Sequence, residues 1–96
     1  MALALPQSVR AYDFSAVAPS GQTLYYYLRA NGTVGVDYPN DSANYYNEVW
    51  DGYTKPTGAL TIPQTVTNNG VTYDVTAIRN GALFGCSGLT TPNTYW

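Results

Sequence analysis

The stretch that decides the fold is QTLYYYLRANGTVGVDY, residues 22–38. The dipeptide Asn31-Gly32 divides it into two runs of alternating side-chain character, a pattern typical of a β-hairpin. A two-residue loop would set apolar side chains opposite a glycine and an aspartate, whereas a three-residue loop at 30–32 gathers the apolar side chains on one face. We therefore predict the three-residue loop, with a type I turn and Gly32 in the left-handed region.

The predicted register sorts the hairpin into an apolar face and a mixed face. The apolar face pairs Leu28 with Val34, Tyr26 with Val36 and Leu24 with Tyr38. The mixed face holds Tyr25, Tyr27, Arg29, Thr33 and Asp37. We expect the first strand of this hairpin, TLYYYLR, to lie at an edge of its sheet.

A second hairpin is indicated by Asn69-Gly70, which again separates two runs rich in Val, Thr and Tyr. Here a two-residue loop is preferred, because it sets Val66 opposite Tyr73 and leaves the intervening polar residues facing water. Residues 60–62 form a further predicted short strand, whose following proline suits an edge or an end.

Residues 39–58 lie between the hairpins and are too many for a plain turn in a compact domain. Their larger apolar and aromatic side chains follow helical spacing at Tyr45, Tyr46, Val49, Trp50 and Tyr53. This spacing predicts a helix of about two turns. The aromatic cluster Tyr45, Tyr46, Trp50 and Tyr53 either packs over the hairpins or forms a surface for a ligand or partner, and the sequence leaves both possibilities open.

Composition supports a β protein with a single core. Of the 96 residues, 45% are hydrophobic and only 10% are charged, against about 25% charged in typical soluble domains. Thr, Tyr and Val fit a pleated surface, whereas the charged residues that favour surface helices are scarce. We predict a mainly β fold, in which two antiparallel hairpins form a small sheet or sandwich with a short helical segment.

The same composition argues against several functional classes. The net charge of −2 offers no basic stripe for nucleic acid, and no apolar run is long enough to span a membrane as a helix. Because the chain has no histidine, a Ser-His-Asp or Cys-His triad cannot be built, and we expect neither catalysis, nor a metal site, nor a cofactor. The carboxylates of Glu48 and Asp51 are predicted to be solvated charges, and Cys86 a buried small hydrophobic residue.

Residues 1–11, MALALPQSVRA, resemble the end of a secretory signal. A short apolar stretch is followed by a helix-breaking proline, and small residues stand at positions −3 and −1 of a cleavage site after Ala11. We predict a signal-peptide remnant, with an ordinary N-terminal arm as the alternative.

From residue 60 onward the sequence LTIPQTVTNNGVTYDVTAIRNGALFGCSGLT resembles a BspA-type leucine-rich repeat, which occurs in bacterial surface and secreted proteins. The residues at the characteristic repeat positions are Ile62, Pro63, Ile78, Ala82, Leu83, Cys86 and Leu89. Residues 12–27, YDFSAVAPSGQTLYYY, are similar to the non-repeat leader that precedes such repeats. The resemblance implies a β-rich leader at 12–59 and, at 60–96, a β-hairpin with one truncated repeat.

The resemblance also implies a function. It indicates a non-catalytic binding or adhesion module that is exported to the bacterial cell surface and binds a protein or glycan ligand. The alternative is a structural subunit that binds copies of itself, because a repeat normally buries its apolar face against a neighbouring repeat. For this alternative the self-association surface would use the edge strand and the uncapped repeat end, through Tyr25, Tyr27, Leu83, Leu89 and Trp96.

Overall fold

Five strands rich in β-branched and aromatic residues form one sheet in the computed structural model, which describes residues 12–41 and 43–90. The strands are β1 (Phe14–Val17), β2 (Thr23–Arg29), β3 (Thr33–Asp37), β4 (Thr65–Asn68) and β5 (Val71–Ile78). The only helical element in these described residues is the single 3₁₀ turn Tyr46–Glu48, apart from 3₁₀-type hydrogen bonding at Ala30–Gly32, where the backbone of Asn31 is left-handed. The mainly β prediction is confirmed, and the predictions for residues 1–11 and Trp96 lie outside the described residues.

The first hairpin has the predicted three-residue register. Leu28 pairs with Val34 and Tyr26 with Val36, and Gly32 has a positive φ of 72°. The turn itself differs from the expected type I turn, because Asn31 also has a positive φ of 61°. Two consecutive positive φ values are the pattern of a type I′ turn, so the extra residue of the loop precedes the turn.

Strand β2 is not an edge strand, and that prediction is wrong. Strand β1 was not predicted from the sequence, and it pairs antiparallel with β2 in a register that sets Phe14 opposite Tyr26. The backbone N–H of Leu28 also donates to Asp13 Oδ2 at 2.7 Å, which extends this contact beyond β1. Because β1 pairs with one side of β2 and β3 with the other, neither backbone edge of β2 is open where these strands pair.

The second hairpin is also confirmed, with Val66 opposite Tyr73 across the two-residue turn. Strand β5 then pairs parallel with β3, so the sheet order is β1-β2-β3-β5-β4. The end strands β1 and β4 approach each other. The ring of Phe14 in β1 also lies 5.8 Å from that of Tyr73 in β5, which pairs with Val66 of β4. The result is a single sheet nearly closed into a barrel, in which the two predicted hairpins lie side by side.

The hydrophobic core combines inward-facing strand residues with residues from the two segments that cover the sheet. We define these covering segments as residues 38–64 and 79–90. The sheet contributes Phe14, Leu24, Tyr26, Val34, Val36 and Val66 to the buried set. The covering segments contribute Val49, Trp50, Leu60, Ala82, Leu83 and Cys86.

Three expectations about the covering segments differ from the structure. The predicted two-turn helix is absent, and only the turn Tyr46–Glu48 has helical hydrogen bonding. Residues 60–62 form no strand, because Thr61 donates its backbone N–H to the Ser20 hydroxyl instead of to a neighbouring strand. The truncated leucine-rich repeat is not confirmed, because outside the five strands the described residues contain only one isolated parallel bridge, between Gly58 and Leu89.

Candidate binding surface

The segment at 39–58 is irregular but firmly anchored. The indole Nε1 of Trp50 donates to the Ala82 carbonyl at 2.9 Å, and Trp50 is only 1% exposed. At the other end of the segment, Asn40 donates its side-chain amide to the Glu48 carbonyl at 2.8 Å and its backbone N–H to the Val49 carbonyl at 3.0 Å. These bonds fix the backbone at Asn40, Glu48 and Val49 and the side chain of Trp50.

The predicted aromatic cluster is divided by this anchoring. Trp50 packs inward with its ring 5.5 Å from that of Tyr25 on β2. Tyr53 packs edge to face on the same Tyr25 at 5.6 Å and remains 38% exposed. For Trp50 and Tyr53 the structure therefore favours the packing alternative, in which aromatic rings cover the mixed face of the first hairpin at Tyr25.

Tyr45 has the opposite environment. Its side chain is 71% exposed and lies at a pocket of about 330 Å³ on the surface of the segment. The other residues that line this pocket are Tyr38, Asn40, Asp41, Ala43, Asn44 and Val49. Tyr46 begins the adjacent 3₁₀ turn. We call this feature the Tyr45 pocket.

The Tyr45 pocket combines an aromatic ring with amide and carboxylate groups. Such a combination suits a ligand with an apolar face and several hydrogen-bonding groups, which describes saccharides and polar peptides. Tyr45 was predicted as a site residue from the sequence, whereas Tyr38 and Asn40 were not. The turn residues Pro39-Asn40-Asp41 after β3 were the available signal for a loop that brings them together.

An ion pair between the buried Asp37 carboxylate and the exposed Arg79 lies next to this pocket. The Asp37 carboxylate is 0% exposed, and it accepts hydrogen bonds from Arg79 Nη1 at 3.1 Å and from the Tyr38 backbone N–H at 2.8 Å. The Arg79 guanidinium in turn lies 5.0 Å from the centre of the Tyr38 ring. Burial raises the pKa of Asp37 above its ordinary value, although Arg79 and the Tyr38 N–H act in the opposite direction.

The residues predicted for self-association occupy different environments. Leu83 is fully buried, and Leu89 is half-buried against the core. The Tyr27 ring lies across Gly35, where an added Cβ would approach Tyr27 Cζ to 2.6 Å, and Arg29 Nη1 donates to its hydroxyl at 3.1 Å. Their predicted role in contacts between copies stays a prediction.

Cys86 is buried, as predicted, and burial raises the pKa of its thiol to about 11. Of the two carboxylates considered above, Glu48 accepts the Asn44 backbone N–H at 3.0 Å and Asp51 is exposed. Within residues 12–41 and 43–90 no three His, Cys, Asp or Glu side chains are grouped closely enough to hold a metal ion. No helix in these residues has the length and apolarity needed to cross a membrane.

Comparison of the chain with protein families, with curated proteins and with solved structures gives no match.

Proposed function

We propose that this chain is a non-catalytic binding module of an exported bacterial surface protein of the BspA-type leucine-rich-repeat kind, and that the Tyr45 pocket contacts a glycan or protein ligand. The observation that supports the proposal is the exposed Tyr45 ring on a segment that hydrogen bonds anchor at both ends. A tyrosine side chain has only two χ angles, so it offers a large contact area at a small cost in conformational entropy.

The chemistry of the pocket agrees with a binding role. Tyr38 and Tyr45 offer aromatic surface, while Asn40, Asp41 and Asn44 offer polar groups that would orient a ligand. The pocket volume of about 330 Å³ falls at the lower end of the range for small-ligand sites. Affinity would therefore come from a small, well-oriented contact.

A binding screen of the labelled chain against glycan and extracellular protein arrays tests the proposal. Tyr45→Ala should abolish the contacts found, because it removes the exposed ring while leaving the anchoring bonds in place. Phe84→Ala is the matched control, since Phe84 is another exposed aromatic residue but does not line the pocket. An empty screen, or ligands retained equally by both variants, would contradict the proposal.

Self-association is a second candidate, favoured by exposed apolar side chains at the ends of strands. Val17, Leu28 and Val71 are each about half exposed or more, at 69%, 50% and 49%. Val17 lies on the end strand β1, Leu28 on β2 and Val71 on β5, and exposed apolar side chains favour contact between copies. The absolute mass in solution, followed with concentration by light scattering, should rise above 10.4 kDa if copies associate, and a constant monomer mass would exclude this candidate.

A further inference from the structure

A second pocket, of about 460 Å³, lies between the β1–β2 turn and the end of the long covering segment. Its lining is mostly polar: Ser20, Gly21, Gln22, Thr23, Tyr25, Thr54, Lys55, Pro56 and Thr57. None of these residues lines the Tyr45 pocket. We call this second feature the Gln22 pocket.

Side-chain hydrogen bonds join the two walls of the Gln22 pocket. Gln22 Nε2 donates to the Thr57 carbonyl at 2.7 Å and to the Ala59 carbonyl at 2.9 Å. Ser20 Oγ accepts the backbone N–H of Thr61 at 2.8 Å. Because these bonds cross from the β1–β2 turn to the covering segment, the shape of the pocket is set before any ligand binds.

The bonds that join the two walls involve the Gln22 amide and the Ser20 hydroxyl, and these two groups differ in what they leave for a ligand. Since both Nε2 hydrogens of Gln22 are used, the orientation of its amide is fixed, and Oε1 is buried without a hydrogen-bond partner in the described part of the chain. Because Oε1 is enclosed by the protein, Gln22 shapes the pocket, and the hydroxyl groups of the exposed lining residues are the ones that a ligand can reach. The Ser20 hydroxyl still has a hydrogen to donate.

The charge at the pocket selects among polar ligands. Lys55 is exposed in its lining, and no carboxylate of the described residues forms an ion pair with it. The threonine hydroxyls at 23, 54 and 57 are both donors and acceptors. An anionic ligand with many hydroxyl groups would match this set.

We propose that the Gln22 pocket binds an acidic saccharide, with the sugar carboxylate beside Lys55 and sugar hydroxyls bonded to Ser20 and the threonines, while Gln22 holds the two walls together. A peptide is disfavoured, because Pro56 and the Tyr25 ring are the only sizeable apolar groups in the lining and peptide sites need pockets for side chains. This inference rests on the proposed role of the chain as a binding module, but it concerns a different surface and names a defined class of ligand.

The test is a titration of the ¹⁵N-labelled chain with galacturonic acid oligomers, followed by amide chemical shifts. Shifts are expected at residues 20–23 and 54–57, and neutral galactose oligomers should bind more weakly. Lys55→Gln should weaken binding by about three- to tenfold, the range expected for one charged contact that remains partly in water. Thr54→Val should also weaken binding, because it removes one hydroxyl and keeps the side-chain shape.

Arg29→Gln is the matched control, because it removes one positive charge at an exposed residue outside the pocket. If it weakens binding as much as Lys55→Gln does, attraction is merely long-range and the proposal fails. The proposal also fails if shifts occur elsewhere, if neutral sugars bind equally, or if an acidic peptide binds more tightly at the same residues. Shifts confined to the Tyr45 pocket would overturn this inference while supporting the proposed function.

Discussion

The sheet and the two covering segments are stabilised by different interactions. In the sheet, neighbouring strands are joined by backbone ladders, and alternate side chains such as Leu24 and Tyr26 are buried. In the covering segments, the decisive bonds run from a side chain to a backbone group far along the sequence, as from Trp50 to Ala82. The sheet therefore follows a local pattern, whereas the covering segments follow individual long-range contacts.

The separations of these contacts along the chain show the difference. The bonds that Gln22, Trp50 and Ser20 make with the covering segments span between 32 and 41 residues. No periodicity of nearby residues encodes such a contact, and one substitution can remove it. Substitutions in the two regions should therefore have different consequences.

The largest effect is expected for Trp50→Ala. This change removes a fully buried ring and its hydrogen bond to Ala82, and it should lower the free energy of unfolding by about 3–5 kcal/mol. The sheet substitution Leu24→Ala should lower the free energy of unfolding by a similar amount, about 2–5 kcal/mol. Urea unfolding followed by far-ultraviolet circular dichroism measures both.

Because residues of both regions belong to one buried cluster, each variant should unfold in a single cooperative transition. Tyr45→Ala serves as the control, since loss of an exposed ring should change stability by less than about 0.5 kcal/mol. If Trp50→Ala left the sheet transition at its original urea midpoint, the covering segments would be an independent layer rather than part of the core.

Local patterns were sufficient for both hairpin registers, because a shift by one residue would turn every apolar side chain outward. The same reasoning missed β1, whose four residues place only Phe14 and Ala16 on the inward-facing side, opposite Tyr26 and Leu24. In a run of only four residues, the alternation of apolar and polar side chains is too short to identify a strand. The missing strand also caused the wrong assignment of β2 to an edge.

Spacing misled the prediction for residues 39–58. The aromatic residues follow helical intervals, yet Trp50 turns into the core and Tyr45 turns to solvent. Asn40 donates to the carbonyls of Glu48 and Val49, which a continuing helix would use for its own next turn. The Gln22 pocket was beyond sequence reasoning for a similar reason, because residues about 35 positions apart form its walls.

An intermediate effect is expected for Arg79→Gln, which tests the one ion pair seen between the regions in the described residues. The change leaves the buried Asp37 carboxylate without its cation and should lower the free energy of unfolding by about 1–3 kcal/mol at pH 7. Arg29→Gln is the matched control and should change stability by less than about 0.5 kcal/mol. Equal losses in the two variants would show that the ion pair contributes nothing specific.

The pH dependence gives a second readout of the same pair. Because burial raises the pKa of Asp37 above its ordinary value of 3.8, the folded chain binds this proton more readily than the unfolded chain. This contribution to stability is therefore present in full below pH 3.8 and is lost as the pH rises through the higher folded pKa. Asp37→Asn should remove that dependence, and an unchanged pH profile would place its origin in another group.

The smallest expected effect is a change in the free energy of unfolding that has opposite signs in the sheet and in the covering segments. The Tyr26 hydroxyl is buried in the sheet without a hydrogen-bond partner in the described part of the chain, and burial raises its pKa to about 12. Tyr26→Phe should therefore leave stability unchanged or raise it by up to about 1 kcal/mol. Trp50→Phe removes the partner of the Ala82 carbonyl and should lower stability by about 1–3 kcal/mol. A loss of stability in Tyr26→Phe as large as that in Trp50→Phe would mean that polar side-chain contacts specify the sheet as much as they specify the segments that cover it.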